Sequence, residues 1–498
     1  MRAVLQRLAI PVILLAAFIG SGEAVDRFGN DPLVEVETTV DTVSADTPVF
    51  SIRRAPEMLT SQHAADDLTA ALDAWVATLP PNSCFVVSAG AERLYEHQQE
   101  IPFTPASNMK VLTAVAALQA LGSDFRYQTR VSALQLPDEN GLLSGSLYII
   151  GGGDPLLMTD AFMATLPPEF STTRSSANSL AEQTVATNLS NISGAVVVDE
   201  SRYDIERAPA GTPVVALDAG LVGALGAAIL DRGYLGLGSG YASQFPSPNE
   251  DGSPGVIVPL RRSDDPARDL AANFDDLLEA LNVLIPRSAR VSVDTPTDLL
   301  DLLTFESPPM SAIVQQMLTN SDHTTAEMLI KELGFFISGS GSTTAGTLAM
   351  SNLLRDAGLN DQGLFALDGS GLDPGTTATC SLLHDALNSG HKDTLRASLP
   401  VAGESGTLAD DFIGTKGEGR IRAKTGLLAQ ASALSGYFVT DPGVELTFSL
   451  IINVGEGEEI TAAQVAGWHR PLPELLASYP SGPALEDLGP VGVPAPGG

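Results

Sequence analysis

A serine and a lysine three positions apart, Ser107 and Lys110, stand where the polar stretch Pro105-Ala106 gives way to the apolar run Met109–Leu121. On a helix, positions i and i+3 share a face, which sets the hydroxyl beside the amine. At a helix N-terminus the dipole favours negative charge developing on oxygen, and an unprotonated amine can take the hydroxyl's proton. By itself the pair is more often no more than a lysine snorkelling from a helix start. Two further triplets follow: Ser321-Asp322-His323, just ahead of a helical pattern, and Lys424-Thr425-Gly426, just ahead of a strand-like run. Ser321 follows Ser107 by 214 positions, and Lys424 follows Ser321 by 103. Read alone, Lys424 is a solvated strand residue; in this company it is a second amine for the same site.

These residues need a framework to meet. Apolar periodicity predicts a helix over 64–79, a strand pair over 84–88 and 92–96, and a helix over Met109–Leu121 that has no solvated face and ends at Gly122. From about Val131 to Val293 the texture changes to short β-like runs, Leu147–Ile150 and 195–198 among them, separated by Gly-, Pro- and Asp-rich turns. Helical spacing returns at 311–318 and 326–333. Strand-like stretches follow at 432–438 and 446–452, and a helix over 463–478 closes the pattern. No internal repeat of fixed period occurs.

The chain is 498 residues long, with 44% hydrophobic and 17% charged residues and a formal charge of −33. It can bury a large core and is not of disordered composition. That charge repels nucleic-acid phosphates and anionic membrane surfaces, so neither is expected as a partner. Arg2 and Arg7 precede an apolar run from Leu8 to Gly20, followed by small residues, which reads as an export signal cleaved after Ala24; an uncleaved N-terminal membrane anchor is the other reading. Either one sends the body out of the cytoplasm, to a periplasm or cell-wall space. The composition of 25–56 suits a flexible tether, and that of 481–498, rich in Pro and Gly, a disordered tail. A single disulfide between Cys84 and Cys380 is open in an oxidising compartment, but two separate buried thiols are the preferred reading. The six histidines show no ligand spacing, so no metal and no other cofactor is expected.

The order S-x-x-K, S-x-N, K-T-G is the motif set of serine β-lactamases and penicillin-binding proteins. Other stretches extend the likeness: Pro105-Ala106-Ser107 with Leu121-Gly122, Gly151-Gly152-Gly153-Asp154-Pro155, Val198-Asp199-Glu200-Ser201, Asp368-Gly369-Ser370-Gly371-Leu372, Ala402-Gly403 with Gly406-Thr407-Leu408, and Ala423 to Leu427 with Leu434-Ser435-Gly436-Tyr437. From about residue 60 to 455 the chain resembles the penicillin-binding protein 4 type of D-alanyl-D-alanine carboxypeptidase/endopeptidase, the S13 peptidase family.

The resemblance implies a multi-domain α+β fold. A transpeptidase-like domain, a helical cluster on a five-stranded antiparallel sheet, is built from 57–140 and 301–480, with β-rich material inserted over 141–300. It also implies a serine carboxypeptidase acting on peptidoglycan stem peptides and inhibited covalently by β-lactams, with cutting of D-alanyl cross-links as a second activity open to the same site. In that reading Ser107 is the nucleophile, Lys110 its base and Ser321 a proton relay. Lys424 and Thr425 hold the terminal carboxylate, and the N–H groups of Ser107 and Leu427, past Gly426, form the oxyanion hole. Asp199 matches a residue suited to binding an ammonium on the stem peptide, though a plain β-turn aspartate explains it equally well.

Two departures stand out. His323 occupies the place of the family's Asn; a neutral imidazole offers one donor and one acceptor, and a protonated one offers none of the acceptor capacity. The reference pKa is near 6.5 and the like charges of Lys110 and Lys424 would lower it; with the window taken from the reference value, this histidine is expected to steepen the acid-side fall in acylation around pH 5–7. Asp373-Pro374 stands where the family continues Ser-Arg, which removes a guanidinium suited to a substrate carboxylate. The competing readings are a β-lactamase or esterase with the same Ser–Lys chemistry, and a catalytically impaired wall-binding homologue, for which His323 is the only support.

Overall fold

The computed structural model describes residues 56–166, 173–235 and 261–480, with side chains from Asp66 onward. The expected export signal and anchor, the tether apart from Pro56, and the tail lie outside these residues. The chain enters through helix α1 (Pro56–Val76), strands β1 (Asn82–Ala89) and β2 (Glu92–His97), and helix α2 (Met109–Leu121). An excursion follows: β3 (Gln128–Ala133), β4 (Leu147–Ile150), α3 (Ala177–Val185), β5 (Val196–Asp199), α4 (Pro266–Ala280), β6 (Arg290–Val291) and β7 (Leu300–Glu306). It returns through α5 (Met310–Asn320), α6 (His323–Ser338), α7 (Thr343–Asp356) and α8 (Cys380–Leu387) to β8 (Ile421–Leu428), β9 (Ala431–Val439) and β10 (Glu445–Asn453). Helices α9 (Ala462–His469) and α10 (Pro471–Leu476) close it. The single helix expected over 463–478 is two, because Pro471 lacks the N–H that would continue the first.

The first sheet runs β8-β9-β10-β1-β2, antiparallel throughout. Its strands read as apolar runs because both faces are covered. Alternate side chains separate cleanly. Cys84, Val86, Ala433, Tyr437 and Ile451 join α2, α5, α6, α7 and α8 on one face. Phe85, Val87, Leu434, Phe438 and Leu450 join α1 and α10 on the other. Helix α2 sits at the centre of the first cluster, its residues from Met109 to Leu118 buried on every side, as its composition predicts. Cys84 and Cys380 are joined in a disulfide that ties β1 to the start of α8, contrary to the two separate thiols preferred from sequence. Nearness in sequence carried no information here: the fold brings together two positions 296 apart.

The second sheet, β6-β5-β4-β3-β7, is mixed, with β4, β5 and β6 parallel and β3 antiparallel to both its neighbours. It takes in Gln128–Ala133 and Leu300–Glu306, so it reaches beyond the 141–300 expected for the insert. The expectation of mostly β structure needs the same correction. Helix α4 lays Leu270, Ala271, Phe274 and Leu278, spaced i, i+1, i+4 and i+8, onto the sheet beside Leu180 and Ala181 of α3. The short strands dominate the sequence texture, but the core they form is completed by helices. The described residues from Met58 on nevertheless make one compact unit.

The insert is locked to α6 by polar contacts. Arg202 grips the wholly buried Glu332 with Nε at 2.9 Å and Nη2 at 2.6 Å, Tyr203 donates to the same carboxylate, and Lys331 pairs with Asp204. Nearer the start of α6, Arg232 Nη2 lies 2.7 Å from Asp322 Oδ1, and Gly223 N donates to Thr324 Oγ1 at 2.8 Å. The helix that begins at His323 is therefore held from the insert at its start and again at its middle.

Candidate active site

Ser107 lies in a short 3₁₀ turn, Ala106–Asn108, that leads directly into α2, rather than in the first α-helical turn as the spacing alone predicts. Ala106 before it adopts φ +47°, a left-handed conformation that costs a non-glycine residue of order 1–3 kcal/mol. The turn is held regardless, because Asn108 Nδ2 donates to Ser435 Oγ at 2.9 Å, and Ser435 in turn bonds Ser449 on the next strand. Ser321 is also left-handed, φ +55°, at the junction of α5 and α6. Asp322 caps α6 by accepting from Thr325 N, and also accepts from Gln316 Nε2. The sequence reading gave Asp322 no task beyond its place in the triplet; it is the buried anchor that fixes its two neighbours.

Lys110 Nζ is 3.0 Å from Ser107 Oγ, 2.8 Å from Ser370 O and 3.1 Å from His323 Nδ1. None of these neighbours is a carboxylate. The amine is wholly buried, and burial lowers its pKa to about 7 despite the opposing charges of Asp368, Glu327 and Asp322. Glu327 itself is pushed up to about 8 by burial and by Asp368. Burial likewise raises Asp368.

These two carboxylates escaped the sequence reading, although the Asp368–Leu372 turn was noted. They organise that turn. Glu327 accepts from Gly369 N and Ser370 N, while Asp368 accepts from Gly371 N, Asp373 N and Thr376 Oγ1. The result is a carbonyl, that of Ser370, aimed at the lysine. Gly371, at φ +74°, is required there, since a Cβ would fall 1.9 Å from Ala106 O. The available signal was a pair of acidic residues, Glu327 and Glu332, within the largely apolar run from Ala326 to Ile337.

Lys424 is wholly buried on the edge strand β8, its Nζ donating to Thr425 O at 2.8 Å. Burial, followed by the charge of Lys110, sets its pKa well below the usual lysine range. Thr425 Oγ1 donates to Thr407 Oγ1 at 2.9 Å. Gly426 lets this strand close on the nucleophile, because a Cβ there would lie 3.1 Å from Ser107 N and 2.9 Å from Pro105 O. Leu427 follows with its side chain 58% exposed, turned toward solvent rather than into the core.

Ser107, Lys110, His323, Lys424 and Gly426 thus converge, and Thr425 and Leu427 flank them. Ser321 adjoins His323, but among the described residues its hydroxyl has no hydrogen bond to Lys110. Asp199 is not brought to the cluster. It lies at the end of β5 and accepts from Ser201 N at 2.8 Å. Burial would raise its pKa, but hydrogen bonds from Thr295 and Ser201 and the charge of Arg130 outweigh this and keep it below the usual carboxylate range.

His323 is the main electrostatic correction. Burial, then Lys110, Lys424 and Arg232, push its pKa well below 6.5, so the pH 5–7 window expected from the free imidazole does not apply. Burial and these charges favour the neutral ring. A cleft of about 710 Å³ opens from His323 and Leu427, walled partly by the insert.

The model of the D-Ala-D-Ala carboxypeptidase 3 (S13) family matches residues 68–239 and 255–470. A D-alanyl-D-alanine carboxypeptidase from Actinomadura is 31% identical over 445 residues, covering 76% of this chain and 79% of that protein. The carboxypeptidase DacB of Mycolicibacterium smegmatis is 29% identical over 377 residues, covering 73% and 74%. The crystal structure of penicillin binding protein 4 from Haemophilus influenzae superposes with a TM-score of 0.65 at 20% identity, over 82% of this chain and 99% of that one.

Proposed function

The chain belongs to the D-Ala-D-Ala carboxypeptidase (S13) family, and on that premise we propose that Ser107 is the nucleophile and Lys110 its base in hydrolysis of D-alanyl-D-alanine stem peptides. The protein is a serine-type D-alanyl-D-alanine carboxypeptidase. Substrates of this kind belong to peptidoglycan, and we assign its action to the space outside the cytoplasm. No helix among the described residues is long and apolar enough to cross a membrane.

The observation that carries the residue roles is the environment of Lys110 Nζ. A neutral amine has two N–H donors and one lone pair. Ser370 O and His323 Nδ1 accept the two donors, leaving the lone pair for the Ser107 hydroxyl 3.0 Å away. An ammonium would instead donate to all three, Ser107 Oγ included, and has no lone pair to take the proton; a pKa of about 7 makes the neutral form available near neutral pH. In this arrangement His323 accepts from the lysine as a side-chain amide oxygen would, which removes the one motive for reading the protein as catalytically impaired.

Acylation then proceeds as follows. Ser107 Oγ attacks the carbonyl carbon of the penultimate D-alanine and its proton passes to Lys110 Nζ. The oxyanion is met by the N–H groups of Ser107 and Leu427, and collapse expels the terminal D-alanine amine, which regains the proton. Water, attacking the ester with Lys110 again as base, releases the shortened peptide and restores Ser107. The terminal carboxylate binds at Lys424 and Thr425. A bound anion favours the ammonium form of Lys424, and that charge in turn helps to keep Lys110 neutral. Ser321, beside His323, is assigned the relay of the proton to the departing amine. A D-alanyl cross-link offers the same scissile carbonyl with a longer amine behind it, and release of monomers from a cross-linked muropeptide measures that second activity.

Benzylpenicillin supplies the direct test. One equivalent should leave a stable penicilloyl adduct on Ser107 in the intact mass, and the Ser107→Ala variant should show neither adduct nor D-alanine release. Rapid penicillin turnover would favour a β-lactamase. An adduct on the Ser107→Ala variant would refute the nucleophile.

A further inference from the structure

The cleft of about 710 Å³ beside the nucleophile lacks charge in a chain of formal charge −33. Val215 and Leu221 of the insert form one wall, Leu372 and Pro374 another, and the backbone run from Leu427 to Ala431 a third. Among the described residues no Asp, Glu, Lys or Arg lines it; His323, its one titratable group, is held neutral by burial. The polar groups on its wall are also neutral. Asn453 and Thr104 satisfy each other through Thr104 N to Oδ1 at 2.9 Å and Nδ2 to Thr104 O at 3.1 Å, and the amide of Gln430 is exposed. Asp373, next to Pro374, is occupied in its own turn, accepting from Gly375 N at 2.8 Å.

Position decides what enters. Given the roles assigned above, the substrate's carboxylate sits at Lys424 and Thr425, and its scissile carbonyl lies over Ser107, against Gly426. A chain paired with the edge strand β8 must carry its acyl-side residues onward past Leu427, which leads into this cleft. An ionised side chain there would lose water and meet no counter-ion, whereas an uncharged one would bury apolar surface at no such penalty. We infer that the enzyme selects stem peptides whose third side chain is uncharged, one whose amine or carboxyl is acylated or amidated. The inference rests on the Ser107 reading but not on its rate.

The test compares two peptides that differ by one charge at pH 8: Nα,Nε-diacetyl-L-lysyl-D-alanyl-D-alanine, and its Nα-acetyl counterpart with a free side-chain ammonium. Release of D-alanine should give a kcat/KM more than fivefold higher for the diacetyl peptide. The Val215→Glu variant, at a position 75% exposed and tolerant of substitution, should reduce that ratio by offering the ammonium a partner. A wild-type ratio of fivefold or less with both peptides hydrolysed would overturn the selectivity and leave Ser107 standing. Failure to hydrolyse either peptide, with no penicilloyl adduct on Ser107, would overturn both.

Discussion

Lys110 and Lys331 are both wholly buried, yet the regions around them do opposite things with a lysine. Lys331, where α6 meets the insert, pairs directly with the carboxylate of Asp204, and beside it Arg202 and Tyr203 close on Glu332. Lys110, near the other end of α6, touches a hydroxyl, a carbonyl and an imidazole, while its nearby carboxylates are spent on backbone N–H groups of the 368–373 turn. Burial without a contacting counter-ion brings its pKa to about 7. Direct pairing makes a buried lysine a structural brace, and withholding the pair makes it a base.

Exchanging the lysines for neutral residues should expose this difference most strongly. Lys110→Ala should slow penicillin acylation by about 10²–10⁴-fold, the range for a positioned general base. Lys331→Met should leave the acylation rate close to wild type and instead lower unfolding free energy by about 2 kcal/mol, since the half-exposed Asp204 can recover water. Stopped-flow acylation and denaturant unfolding on both variants check this; equal kinetic losses would erase the distinction.

Arg232 tests how strongly the insert's ion pairs brace the start of α6. Arg232→Met leaves Asp322 buried without its cation, which should cost about 3 kcal/mol. Adding Asp322→Asn should return much of that, because the surviving amide needs no counter-charge. Denaturation midpoints of the single and double variants give the answer. A smaller effect is expected at Gly426→Ala. The new Cβ would press on Pro105 O and the Ser107 amide, and a displacement of a few tenths of an ångström should slow acylation about tenfold. Smallest is His323→Asn. Because the imidazole is already neutral, the variant's acylation profile above pH 6 should keep the wild-type shape and differ only in height. A change of shape between pH 6 and 7 would mean that the ring titrates there.

The catalytic framework was largely legible in the sequence. Met109–Leu121 reads as a helix without a wet face and lies at the centre of the core, and the runs within β9 and β10 lie where their apolar residues place them. The three triplets marked the site because their chemistry is carried by residue type. Less legible was whatever depends on packing between distant segments. Cys84 and Cys380 pair across 296 positions, and Glu327 and Asp368 acquire a role only when α6 meets the turn that faces Lys110. Helix α4 was hidden because it sits among short strands whose texture dominates that stretch. The motifs set Lys110 and Lys424 beside His323, but its burial and the charge of Arg232 exist only in the fold, so the size of the downward shift was not legible.

The most direct test of Lys110 as an unprotonated base is the second-order rate of penicillin acylation of the wild-type protein from pH 5 to 9. A base of pKa about 7 is neutral above that pH and protonated below it, so the rate should level off above pH 8 and fall about tenfold per unit below pH 6. The midpoint should lie near 7. A rate still rising tenfold per unit at pH 9 would show that the amine stays charged in the folded protein, and a rate independent of pH across this range would show that no base of pKa about 7 controls acylation; either contradicts the role given to Lys110.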